Sequence, residues 1–186
     1  MNPLSLWHQA VLFVHLVAFA LTLSAVVRED LRLLARRRID PAHLRKTVRT
    51  VGAGLAALWL SGLALVAIGI AASPAPWVPG AKLGAKLAVV TLLTLNGWAL
   101  HAWVFPRLQA GPLRWGPGLR LPAALGAVSS ASWAYAAFVG VARPLSPTMS
   151  FAGFMGLYAA VVAMALILVR VLLARPPQGA AVSSAG

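Results

Sequence analysis

Cysteine is absent from this chain of 186 residues. Without a thiol, disulfides, thiolate nucleophiles, iron–sulfur ligation and thioether-linked haem are excluded. Acids are nearly as scarce: three Asp+Glu stand against sixteen Lys+Arg. All three (Glu29, Asp30, Asp40) fall within Arg28–Arg49, so the long apolar runs are expected to be free of acid. That pattern argues against carboxylate proton relays, carboxylate cation sites and two-carboxylate hydrolysis. Apolar residues fill the space instead. A hydrophobic content of 60% and a mean hydropathy of +0.83 lie beyond the range of soluble globular domains. The expected fold is an all-α integral membrane bundle of five transmembrane helices, at ~20 apolar residues per span plus loops.

Arg28–Arg49 (REDLRLLARRRIDPAHLRKTVR) orients the chain, because it carries eight of the sixteen basic residues between two membrane-length apolar runs. Under the positive-inside tendency it is a cytoplasmic loop, which sets the N-terminus outside and the C-terminus inside. Of the cations, Lys82, Lys86 and Arg143 then fall outside and the rest inside. The net charge of +13 thus reads as topology plus attraction to anionic lipid headgroups, and no nucleic-acid surface is expected. The N-terminus lacks a cationic n-region and a clear cleavage site, so it is expected to stay as the first span of a multi-pass protein.

The spans are expected at about 4–27, 51–72, 83–105, 121–142 and 149–169, in one transmembrane domain over 1–175. The first helix is expected to run on into the basic loop, where leucines alternate with arginines. Asp40-Pro41 reads as a new helix start, with Asp as N-cap and Pro at the first position. SPAPWVPG (Ser73 to Gly80) and RPLSPT (Arg143 to Thr148) end spans two and four, and the Pro/Gly/Ser/Ala-rich residues 176–186 read as a disordered tail. Small residues mark expected helix contacts: Ala53, Ala57 and Ser61; Ser132, Ala136 and Gly140; Gly156 and Ala160. Such ridges allow close approach in lipid, within this bundle or against partner membrane helices or a second copy.

The candidates for chemistry are few. His8 and His15 are seven residues apart and share a face continued by Ala18, Thr22 and Ala25. A polar stripe at membrane depth faces the bundle and requires partners. His15 is either a ligand for iron or copper or a hydrogen-bonded packing residue. His8 sits near an interface, where a solvated imidazole costs little. Lys86, Val90, Thr94, Gly97 and His101 form a second stripe, on which Lys86 either meets an anionic group or snorkels. His15 and His101 differ in depth by ~10 Å at 1.5 Å per residue, so they do not form a simple axial pair. Met155 matches the depth of His15 better, and His/Met ligation suits haem iron or Cu(I). Trp59 and Trp133, near mid-span, need partners for their indole N–H groups, which the Ser129, Ser130, Ser132 cluster is placed to supply.

HLVAFALTLSAVV (His15 to Val27), LWLSGLAL (Leu58 to Leu65) and KLAVVTLLTLNGWALHAWVFPRL (Lys86 to Leu108) resemble small bacterial inner-membrane bundles. The similar groups are copper-resistance protein D domains and the membrane protoporphyrinogen oxidase of haem synthesis, over about half the chain. The resemblance implies a bacterial inner-membrane location. It also implies that His15 and Lys86 correspond to the histidine and lysine that the oxidase uses around its haem or porphyrin. The expected function is a haem-associated membrane protein, redox or porphyrin-related. It would bind haem b through His15, with His101 or Met155 as second candidate and Lys86 at a propionate. The alternatives are copper handling through His8, His15 and Met155, and a non-catalytic membrane subunit or assembly factor.

Overall fold

Proline and glycine punctuate a chain that is otherwise helical. The computed structural model describes residues 3–36, 41–72, 80–104, 106–107, 119–142, 144–145 and 147–174, and within these not the side chains of 3–4, 33–36 and 41–44. The helices are α1 (Pro3–Arg36), α2 (Pro41–Ala71), α3 (Ala81–Ala99), α4 (Arg120–Val141) and α5 (Phe151–Ala174), and α3 continues into a π-helical segment, Leu100–Val104. Five helices are long and apolar enough to cross a membrane, and among the described residues there is no strand. The chain is an all-α, multi-pass membrane protein.

The helix ends follow the sequence signals. Pro41 opens α2, where φ is pre-set and a missing N–H does no harm. Gly80, in extended conformation, precedes α3, and its carbonyl accepts the Gly84 N–H at 3.0 Å. Ser150 caps α5: its hydroxyl accepts the N–H of Gly153 at 3.2 Å. α1 runs without a break to Arg36, so Glu29 and Asp30 lie on a helix rather than in a loop. The expected terminators at 73–79, most of the return segment 106–120, Arg143 and the tail at 176–186 lie outside the described residues.

α4 is the hub, because its two sides serve two cores. Tyr135 and Val139 join Ala85 and Val89 of α3 and Phe154 and Tyr158 of α5. Trp133 joins Val26 of α1, Leu58 of α2 and Leu93 of α3, and its ring packs on Phe19 at 5.6 Å between centroids. Polar bonds pin both. Tyr135 donates to the Phe154 carbonyl at 2.5 Å, and the Ser132 and Tyr158 hydroxyls meet at 2.9 Å. Large apolar side chains such as Leu60, Val141 and Met164 point outward, as expected where lipid is the solvent.

The small-residue ridges are only partly used. Ser61 and Ser132 are buried, but Ala53, Gly140, Gly156 and Ala160 face outward. α1 and α2 approach closely at Gly54, where a Cβ would collide with the Thr22 side chain.

Candidate functional site

α1 and α2 lie antiparallel in a register that repeats every seven residues. His15 is bonded to Ser61, Thr22 sits over Gly54, and Glu29 is bonded to Thr47. Seven residues are nearly two full turns, so each step returns to the same stripe about 10.5 Å further on. Three rungs of polar or small residues therefore occupy one seam. One further step places His8 level with Ile68. His8 is exposed there, with no polar partner among the described residues.

The His15 rung fixes a tautomer. His15 Nδ1 and Ser61 Oγ are 2.8 Å apart. Ser61 has one proton, and it points at the Ala57 carbonyl 2.6 Å away. The ring nitrogen is therefore the donor and Ser61 the acceptor, which leaves the Nε2 lone pair uncommitted. The ring lies beside Gly62, where a Cβ would make an ordinary contact 3.6 Å from His15 Cε1. Of the Ser-Gly pair, the serine thus has a physical role, since it holds the imidazole.

A second polar group lies nearer the basic end of the bundle, where Arg28, Arg49, Arg107, Arg120 and Arg170 gather. Asp30 accepts a hydrogen bond from Ser130 of α4 at 2.5 Å. Glu29 accepts from Thr47 at 3.0 Å and pairs with Arg32 at 3.8 Å. Both acids lie on α1 beyond the expected span, which ends near Val27. Because α1 outruns its apolar stretch, it delivers a carboxylate to a serine about 15 Å along α4 from Arg120.

The remaining candidates disperse. His101 is exposed on the π-helical segment. Trp59 donates to Thr94 at 3.1 Å, which levels α2 with α3 and puts His101 about nine residues, or ~13 Å, from the height of His15. Met155 packs against the α3–α4–α5 core, whereas His15 lies on the α1–α2 seam. Among the described residues no three His, Asp or Glu side chains could hold a metal ion together. The serine cluster does not serve the indoles as expected. Ser132 turns to Tyr158 and Ser130 to Asp30, while the buried Trp133 Nε1 has no partner among the described residues.

The stripe predicted on α3 turns toward α2, since Thr94 meets Trp59. α2 and α3 make little backbone contact beyond that bond, and a Cβ on Gly97 would meet open space. Asn96, on the other flank, donates to the Leu125 carbonyl of α4 at 3.0 Å. The sequence reading missed the Asp30–Ser130 and Glu29–Thr47 bonds. The signal of the Glu29–Thr47 bond is the seven-residue spacing of His15, Thr22 and Glu29 against Thr47, Gly54 and Ser61, whereas the Asp30–Ser130 bond has no such signal. No known protein family, curated protein or solved structure matches the chain.

Proposed function

We propose that this is a haem-associated protein of the bacterial inner membrane, with its N-terminus outside and C-terminus inside, in which Nε2 of His15 is the iron ligand for haem b. The tautomer carries this reading: a neutral imidazole with Nδ1–H held by Ser61 and a lone pair on Nε2 is the form that binds metal. Lys86 of α3, the lysine that the family resemblance singles out, would supply the cation for a propionate. Haem b, when bound, supplies a redox-active iron. This chain's own part is to fix the ring, neutralise the carboxylate and shield both with apolar helices.

The donor set fits one imidazole ligand. His101 is exposed near the basic end and Met155 belongs to the other core, so neither accompanies His15. The copper alternative draws on His8, His15 and Met155, which lie in three different surroundings, and haem through His15 is therefore preferred. The orientation rests on the cations gathered at one end.

The test is the absorbance of protein purified from membranes, or reconstituted with haem. A Soret band is expected, lost in His15→Ala. Ser61→Ala should weaken haem retention by roughly 10–100-fold, as removal of an outer-shell partner does. Absence of the band after reconstitution, or its full retention in His15→Ala, overturns the proposal. Stoichiometric copper without porphyrin absorbance would favour the alternative.

A further inference from the structure

The basic end holds a cleft that the haem reading does not use. It has a volume of about 340 Å³ and is lined by Arg45, Lys46, Arg49 and Thr50 of α2. It is an open site along one helix, and Arg45, Lys46, Arg49 and Thr50 are all exposed. At 100° per residue, Arg45 and Arg49 lie on the side of α2 opposite Thr47, which faces Glu29 of α1. Among the described residues the nearby carboxylates are engaged elsewhere: Glu29 with Thr47 and Arg32, Asp30 with Ser130. Among the described residues none of the three cations has a carboxylate partner. Thr50 spends its proton on the Lys46 carbonyl at 3.1 Å, so the cleft's recognition is cationic.

We infer that this cleft binds a phosphate group, and that the group belongs to the headgroup of an acidic phospholipid. Two guanidinium forks and an ammonium within five residues match phosphate oxygens, which Arg meets in bidentate fashion. Position gives the source. The apolar run of α2 begins at Val51, immediately after Thr50. The cations therefore sit at the hydrocarbon boundary, at the level of lipid phosphates, where basic pockets beside membrane helices take anionic headgroups. The site stands apart from His15 and does not depend on the haem reading.

The experiment uses the full chain in nanodiscs of phosphatidylcholine with a minor fraction of phosphatidylglycerol, and native mass spectrometry to count retained lipid. Wild type is expected to retain phosphatidylglycerol over phosphatidylcholine. The triple variant Arg45→Gln, Lys46→Gln, Arg49→Gln should lose that preference by about a hundredfold, at roughly fivefold per cation. A control, Arg107→Gln, Arg120→Gln, Arg170→Gln, removes equal charge from the same end and should keep it. Equal loss in both triples reduces the effect to bulk charge and overturns the site. If the first triple fails to fold, Arg45→Gln and Arg49→Gln singly, each expected to lose about fivefold, carry the same test. Inorganic phosphate added to protein in pure phosphatidylcholine discs separates the sources: no binding is expected. Binding that requires the same three cations would assign the cleft to a soluble phosphate and overturn the lipid assignment.

Discussion

Gly54→Ala should loosen the α1–α2 seam out of proportion to its size. The added methyl would occupy the space of the Thr22 side chain. Thr22 cannot easily yield: it is 2% exposed and its hydroxyl donates to the Ala18 carbonyl at 2.7 Å. Either the helices part or the threonine gives up its rotamer, and overpacking of this kind costs about 1–3 kcal/mol. Parting also strains the rungs on both sides, His15–Ser61 and Glu29–Thr47. A loss of one or two kcal/mol lowers the folded-to-unfolded ratio about 5–30-fold. The assay is reversible unfolding in mixed micelles, followed by tryptophan fluorescence, on a double-mutant cycle with Thr22→Ala. The double variant should recover at least ~1 kcal/mol relative to additivity, since neighbours that share a contact couple. If Gly54→Ala is as stable as wild type, or Thr22→Ala gives no recovery, the register is wrong and the tautomer argument for His15 loses its support.

Four other outcomes can be measured with the same material. Asp30→Asn and Ser130→Ala should each destabilise by about 1–3 kcal/mol, and their combination by less than the sum, because one charge-assisted bond is lost in all three. Trp133→Phe should stay within about 1 kcal/mol of wild type in that micelle assay, as the volume lost is offset by removing an unpartnered buried N–H, whereas Trp133→Ala should cost about 3–5 kcal/mol. Tyr135→Phe, which removes a bond that is made, should cost about 1 kcal/mol on the same scale. Since the chain has no cysteine, Thr148→Cys and Ala174→Cys provide clean topology probes. An impermeant maleimide on intact cells should label the first and not the second, and the reverse pattern would invert the orientation.

The helices were legible because membrane length and the Asp40-Pro41 and Ser73–Gly80 punctuation leave few other readings. Even the continuation of the first helix into the basic stretch could be anticipated from its alternating leucines. The pairing between helices was harder. A four-residue ridge of small residues pointed to Ala53, yet Ala53 faces outward and the contact falls on Gly54. In lipid, backbones meet wherever any small residue lets them, and α2 carries small residues on several faces. The acids were assigned to a loop because charge usually ends a span. The delivery of Asp30 to Ser130 depends on helix tilt and register, which no single helix encodes. His15 was recognised as inward-facing, but its partner Ser61 and the resulting tautomer required both helices in place. The separation of Met155 from His15 was invisible for a similar reason: depth along a helix says nothing about which neighbour it has.

The seven-residue matching of the first two helices also bears on how the protein is made. Every rung uses residues no later than Ser61, so the instructions for docking are complete once α2 has been synthesised to Ala71. Sliding one helix by a single residue would turn its stripe by about 100° and misplace all three rungs together. Such an all-or-none match would let α1 and α2 fix their register before the later helices are made. The later helices are then threaded against a template that is already set.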